Sequence, residues 1–151
     1  IALMALLSLR HRSVDAVTVP LAITSVAAVR TLIQGFARRL HWDDPAEDRL
    51  MLAAEEAMLF LIQSGLADGA AAGSTEITLR LRMVENEVEL EFVTAPAGAN
   101  VEGAIAALTD AGEPDAVDDI SLRLLRATAR EVKHLQYHGT DYLLIRVDST
   151  G

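Results

Sequence analysis

No cysteine occurs among the 151 residues. That removes cysteine nucleophiles, thiolate metal sites and any disulfide framework, and it agrees with a reducing, cytoplasmic setting. A Gly-x-Ser-x-Gly elbow and a Gly-Lys-Ser/Thr phosphate loop are also missing, which sets aside two large enzyme classes. Basic residues are scarce: 13 Lys and Arg stand against 22 Asp and Glu, giving a formal charge of −9. Clustered cations for gripping phosphodiesters are not supplied, so nucleic acid is not expected as a partner. The four histidines, His11, His41, His134 and His138, are scattered, with no two on one helix at i, i+4 spacing, so a metal site is not expected. His134, His138 and Asp141 fall near the last turn, where a hydrogen-bonded turn is expected rather than catalysis.

No apolar run reaches the roughly 20 residues that span a bilayer. Ile1–Leu9 is nonetheless apolar and is followed at once by Arg10, His11 and Arg12. Two readings stay open: the cytoplasmic end of a membrane helix continuing upstream of Ile1, with a positive-inside flank, or an amphipathic helix packing on the domain or on a second copy. Residues 1–12 are therefore set apart as a linker or anchor, and 13–151 are expected to form one domain of ordinary size.

The chain is organised around the stretch from Asp44 to Ser64. Asp44 is expected to cap a helix, Pro45 suits its first position, and Glu47 and Asp48 complement the positive end of its dipole. From Leu50 to Ile62 the helix is apolar nearly all round, except for Glu55 and Glu56, so it belongs in the centre of the domain. Glu56 must reach a cavity, find a partner, or emerge with Glu55 on a narrow solvent-facing strip.

Before this helix, Val14–Leu21 reads as a strand, and Ser25 is expected to cap a helix through Arg39 with Val26, Val29, Leu32, Ile33 and Phe36 inward. Trp42, the single tryptophan, is expected to anchor the link between the helices. Gly65–Ser74 is expected to be a loop. Ile77–Met83 and Val88–Phe92 alternate apolar with charged residues. A turn over Val84–Glu87 would set Met83 opposite Val88, Arg82 opposite Glu89 and Arg80 opposite Glu91. One face of that hairpin is apolar, so helices should gather on one side of the sheet. Thr94–Asn100 is expected to be a break, and Asp118 or Asp119 to cap a last helix with Ile120, Leu124, Leu125 and Thr128 inward. A closing hairpin, Val132–Tyr137 and Tyr142–Asp148, is expected to turn over His138–Asp141.

This order of elements resembles the ATP-binding domain of the histidine-kinase-like ATPases, the GHKL or Bergerat fold, and is most similar to the anti-sigma-factor serine kinases. The likeness covers Val17 to Val147. It rests on Thr18-Val-Pro-Leu-Ala leading to Val29-Arg30, on Leu52-Ala-Ala-Glu-Glu-Ala, and on Gly139-Thr140 in the last hairpin. It implies an α+β two-layer sandwich: a mixed, mostly antiparallel sheet with helices on one face.

The resemblance also places three nucleotide-contacting devices, and each departs from the family pattern. Glu56 matches the helix glutamate, but Phe60 stands where an asparagine would ligate magnesium, and both asparagines, Asn86 and Asn100, lie elsewhere. Thr94-Ala-Pro-Ala-Gly98 replaces an Asp-x-Gly-x-Gly whose aspartate reads adenine, keeping only Gly98. Asp119-Ile-Ser-Leu-Arg123, centred on Ser121, replaces a phosphate-wrapping Gly-x-Gly. The implied function is a regulatory domain with lost or weakened ATP binding and no cofactor, working through a sigma factor, an anti-sigma antagonist domain or a homodimer. Two alternatives accompany it. One is an active serine/threonine kinase using ATP and magnesium, with Glu56 as general base. The other is the cytosolic C-terminal domain of a membrane transporter or receptor.

Overall fold

The computed structural model describes residues 15–67, 74–100, 102–103, 105–106, 125, 127, 129–137 and 140–149. Ile1–Leu9, the expected last helix apart from Leu125, Ala127, Ala129 and Arg130, and the tip of the closing hairpin lie outside these residues.

Strand β1, Asp15–Pro20, alternates half-buried and exposed positions and lies at one edge of the sheet. A short 3-10 turn, Ile23–Ser25, leads into helix α1, Val26–Arg39. Ser25 precedes the helix, yet its hydroxyl donates to the carbonyl of Pro20 at 2.7 Å and leaves the helix amides uncapped. The 3-10 turn explains this departure from the expected cap, because it holds Ser25 in a helical conformation with its side chain directed back at β1. Val29, Ile33, Phe36 and Ala37 form the buried face.

Helix α2 runs Asp44–Ala67, three residues past Ser64, so Gly65–Ala67 are helical rather than loop. Its cap is Asp43, whose Oδ1 accepts from the amide of Ala46 at 2.9 Å; Asp44 begins the helix instead of capping it. Two adjacent aspartates can both serve, and the partly buried Trp42 packed on the core sets which of them does. Leu50, Ala53, Ala54, Ala57, Met58, Phe60, Leu61 and Ile62 sink into the core.

Strands β2, Thr75–Val84, and β3, Glu87–Pro96, form the hairpin with the expected register: Met83 faces Val88, Arg82 faces Glu89 and Arg80 faces Glu91. Strands β4, Glu131–Tyr137, and β5, Thr140–Asp148, close the fold. The sheet order is β1-β2-β3-β5-β4, and every pairing among the described residues is antiparallel, so no parallel strand makes it mixed. Ile77, Leu79, Leu81, Val88, Leu90, Phe92, Leu143, Ile145 and Val147 meet both helices and Leu125 in one core. The result is two layers, with the helices on one face of the sheet.

The other face carries a charged ladder. Glu89, only 4% exposed, lies between Arg82 and Arg146, and Arg146 also reaches Glu131 at 2.8 Å. Arg80 joins Glu91 and Glu102. Past Pro96 the chain turns at Gly98, whose φ of 81° suits glycine, and stays on this outer face: the amide of Gly98 donates to Glu76 at 3.1 Å.

Candidate functional site: the α2 strip and the polar cluster beneath it

The helical repeat of α2 brings Asp48, Leu52, Glu55, Glu56, Leu59 and Gln63 onto one side, and all six are exposed or half-buried. Of the two fates open to the glutamates, this is the solvent-facing strip. Glu55 pairs with Arg30 of α1 at 3.1 Å, while Glu56 is half-buried and makes no hydrogen bond or ion pair among the described residues. The strip is not wholly polar, because Leu52 and Leu59 are 46% and 37% exposed.

One turn after Glu56, Phe60 points inward and is 3% exposed. Its ring meets the imidazole of His134 edge-on, with centroids 5.4 Å apart at 88°. His134 lies on β4 in phase with Val132, on the helix-facing side, and is buried. Its Nε2 is 2.9 Å from Oδ1 of Asp141. Asp141 in turn is the register partner of Thr94. The Asp141 amide donates to Thr94 Oγ1 at 3.0 Å, and that hydroxyl donates to Asp141 Oδ2 at 3.4 Å. All three polar residues are at least nine-tenths buried.

Asp141 is therefore a strand residue, not part of the turn where the sequence reading placed it, and Thr94 belongs to β3 rather than to a break. Register explains both shifts: Tyr137 pairs with Thr140, which brings Asp141 into the ladder opposite Gln136 and Thr94. The missed signal was parity. His134 keeps step with Val132, and Asp141 keeps step with Leu143, Ile145 and Val147, so a period of two places both in the core.

The arrangement constrains the chemistry. The carboxylate sits between imidazole and hydroxyl, whereas a nucleophilic triad needs the imidazole in the middle, so Thr94 has no base poised on it. Of the two ring nitrogens of His134, Nε2 is the one held by Asp141. Nδ1 is buried with no partner among the described residues. Of the residues singled out from sequence, Phe60 and Thr94 join this cluster, while Glu56 stays on the solvent-facing strip one turn before Phe60. Gly98 lies on the opposite face of the sheet beside Glu76, and Ser121 lies outside the described residues.

Among the described residues, one antiparallel sheet with α1 and α2 on one face, in this order of elements, is the architecture expected from the resemblance to the histidine-kinase-like ATPases, and structural comparison supports that fold. The chain aligns with the RsbU and RsbW domains of Rv1364c from Mycobacterium tuberculosis at a TM-score of 0.59 and 11% identity, over 89% of this chain and 31% of that one. It spans about a third of that protein's chain. It also aligns with a chain of the SiaB-SiaC complex from Pseudomonas aeruginosa at a TM-score of 0.56 and 8% identity, over 97% of both chains. The catalytic domain of the histidine kinase ThkA aligns at a TM-score of 0.43 and 10% identity, over 89% of this chain and 97% of that one. Neither the protein-family models nor the curated proteins give a match. The two likenesses with a TM-score above 0.5, at 11% and 8% identity, show the fold alone. No helix among the described residues is long and apolar enough to cross a membrane.

Proposed function

We propose that this domain is a regulatory protein-binding module whose ATP-binding capacity is lost or strongly weakened. The observation that carries the reading is Phe60. The resemblance places the magnesium ligand at this position, and a phenyl ring offers a metal no donor atom. The ring is 3% exposed and packed on His134, so hydrocarbon occupies that part of the space between α2 and the sheet. The polar groups nearby do not supply what the ring withholds: Asp141 is committed to His134 and Thr94, and the threonine at the adenine-reading position is turned to Asp141. These described residues therefore speak against a magnesium-nucleotide complex in this part of the fold.

A role through protein contacts accords with one neighbour having been solved with a protein partner, SiaB with SiaC. The proposed partner class is a sigma factor or an anti-sigma antagonist domain, as the resemblance implies. Isothermal titration of the domain with ATP and magnesium checks the first half of the reading. No saturable heat at millimolar nucleotide is expected; a micromolar dissociation constant would mean that the cleft is open and the reading wrong.

A further inference from the structure

The exposed strip of α2 asks for an explanation of its own. A helix that buries nine apolar residues among those described leaves Leu52 and Leu59 in solvent, two turns apart, with Glu56 between them. The same surface continues onto α1. Arg30 meets Glu55, and Leu21 lies against Gly65, so the two helices run antiparallel and Ile23, 61% exposed, comes level with the turn after Leu59. Leu52 and Leu59 thus stand as exposed apolar positions on a strip that also carries Asp48, Glu55 and Glu56, with exposed Ile23 near its far end.

Its charge is predominantly negative. Asp48 and Glu56 make no ion pair among the described residues, where Arg30, the cation that reaches the strip, is already shared with Glu55. We infer that this strip docks a basic amphipathic helix of a partner protein, its aliphatic side chains covering Leu52 and Leu59 and its Arg or Lys side chains meeting Glu56 and Asp48. Charge selects this occupant. A second copy placed over the strip would set carboxylates against carboxylates, and nucleic acid or an anionic lipid surface would be repelled. The inference rests on the reading of the domain as a protein-binding module and adds the surface and the partner's chemistry.

The probe is a synthetic helical peptide carrying two leucines two turns apart, flanked by arginines, with a twin in which glutamates replace the arginines. Fluorescence anisotropy should show saturable binding of the basic peptide only, weakening as salt rises. The double variant Leu52→Ala/Leu59→Ala should weaken it by about tenfold or more, as expected for central apolar anchors. Because both leucines are exposed, the thermal transition of that variant should match the parent. Should it nevertheless fold poorly, Glu56→Lys, which leaves the core untouched, should lower the affinity by a similar factor. Equal binding of both peptides, no binding of the basic one, or indifference to both variants overturns the inference. So does sedimentation showing a parent dimer that Leu52→Ala/Leu59→Ala dissolves, since the occupant would then be a second copy. Nucleotide titration reports separately: ATP binding alongside intact peptide binding would sink the filled cleft and leave the docking strip.

Discussion

At the scale of single residues, the cost of a side chain here follows from what its partners lose. Asp141 is 4% exposed and holds both His134 and Thr94, so Asp141→Ala strips the imidazole of its one partner and leaves a buried polar ring unpaired. Breaking a buried pair in this way should cost about 3 kcal/mol in urea denaturation. Thr94→Val removes the acceptor of the Asp141 amide and the long hydrogen bond to Asp141 Oδ2, and should cost about 1–2 kcal/mol. Because the two share a network, the double variant should cost less than the sum, and strict additivity would show that the cluster does not act as one unit.

Tyr142 on the outer face offers a readout in pH. Burial raises its phenol well above the usual tyrosine range, and donation to Glu91 at 2.8 Å, together with that carboxylate's charge, raises it further. A folded value above the unfolded one, about 10, means that the neutral phenol stabilises fully below that pH and that the contribution is lost as pH rises toward the folded value. Thermal stability should therefore fall above pH ~10 in the parent, and Tyr142→Phe should flatten the fall. The ultraviolet absorbance of tyrosinate should lose its most alkaline component in the same variant, and an unchanged titration would contradict the assignment.

At the scale of elements, the β2–β3 hairpin was legible because each strand writes its period twice, once in apolar residues and once in charge: Arg80 and Arg82 come opposite Glu91 and Glu89 only in one register. The same ladder separates a costly ion pair from a cheap one. Glu89 is nearly buried and engages two arginines, while the side chain of Glu102 is 73% exposed and engages one. Glu89→Ala should destabilise by about 2 kcal/mol, tempered because Arg82 and Arg146 remain hydrated. Glu102→Ala should cost less than about 0.5 kcal/mol, and equal costs would show that burial does not govern the ladder. The start of α2 was legible only to within a residue, since Asp43 and Asp44 have the same capping chemistry and tertiary packing of Trp42 decides between them. The His134–Asp141–Thr94 cluster was not legible, because the polar residues near a hairpin end read as turn formers until the pairing register is known. The exposure of Leu52 and Leu59 was hidden for a related reason: an apolar sequence does not say which stripe of a central helix lacks a neighbour.

At the scale of the whole molecule, the core draws on α1, α2, β2, β3, β5 and Leu125 in one continuous cluster, with β1 and β4 packed on it through Val17, Val19 and Val132. Such a core gives no part of the domain enough buried area to persist alone, since removing either helix would uncover the sheet's apolar face. Unfolding should then be all-or-none. Trp42 gives a local probe at the turn between the helices, partly buried against the core, while far-ultraviolet dichroism follows the sheet and both helices together. The two signals should trace the same urea transition with one midpoint and one slope. If Trp42 fluorescence changed first, the helical hairpin would be a separate unit resting on an independently stable sheet. The α2 strip that carries Leu52 and Leu59 would then rearrange when a partner binds, rather than meet it preformed.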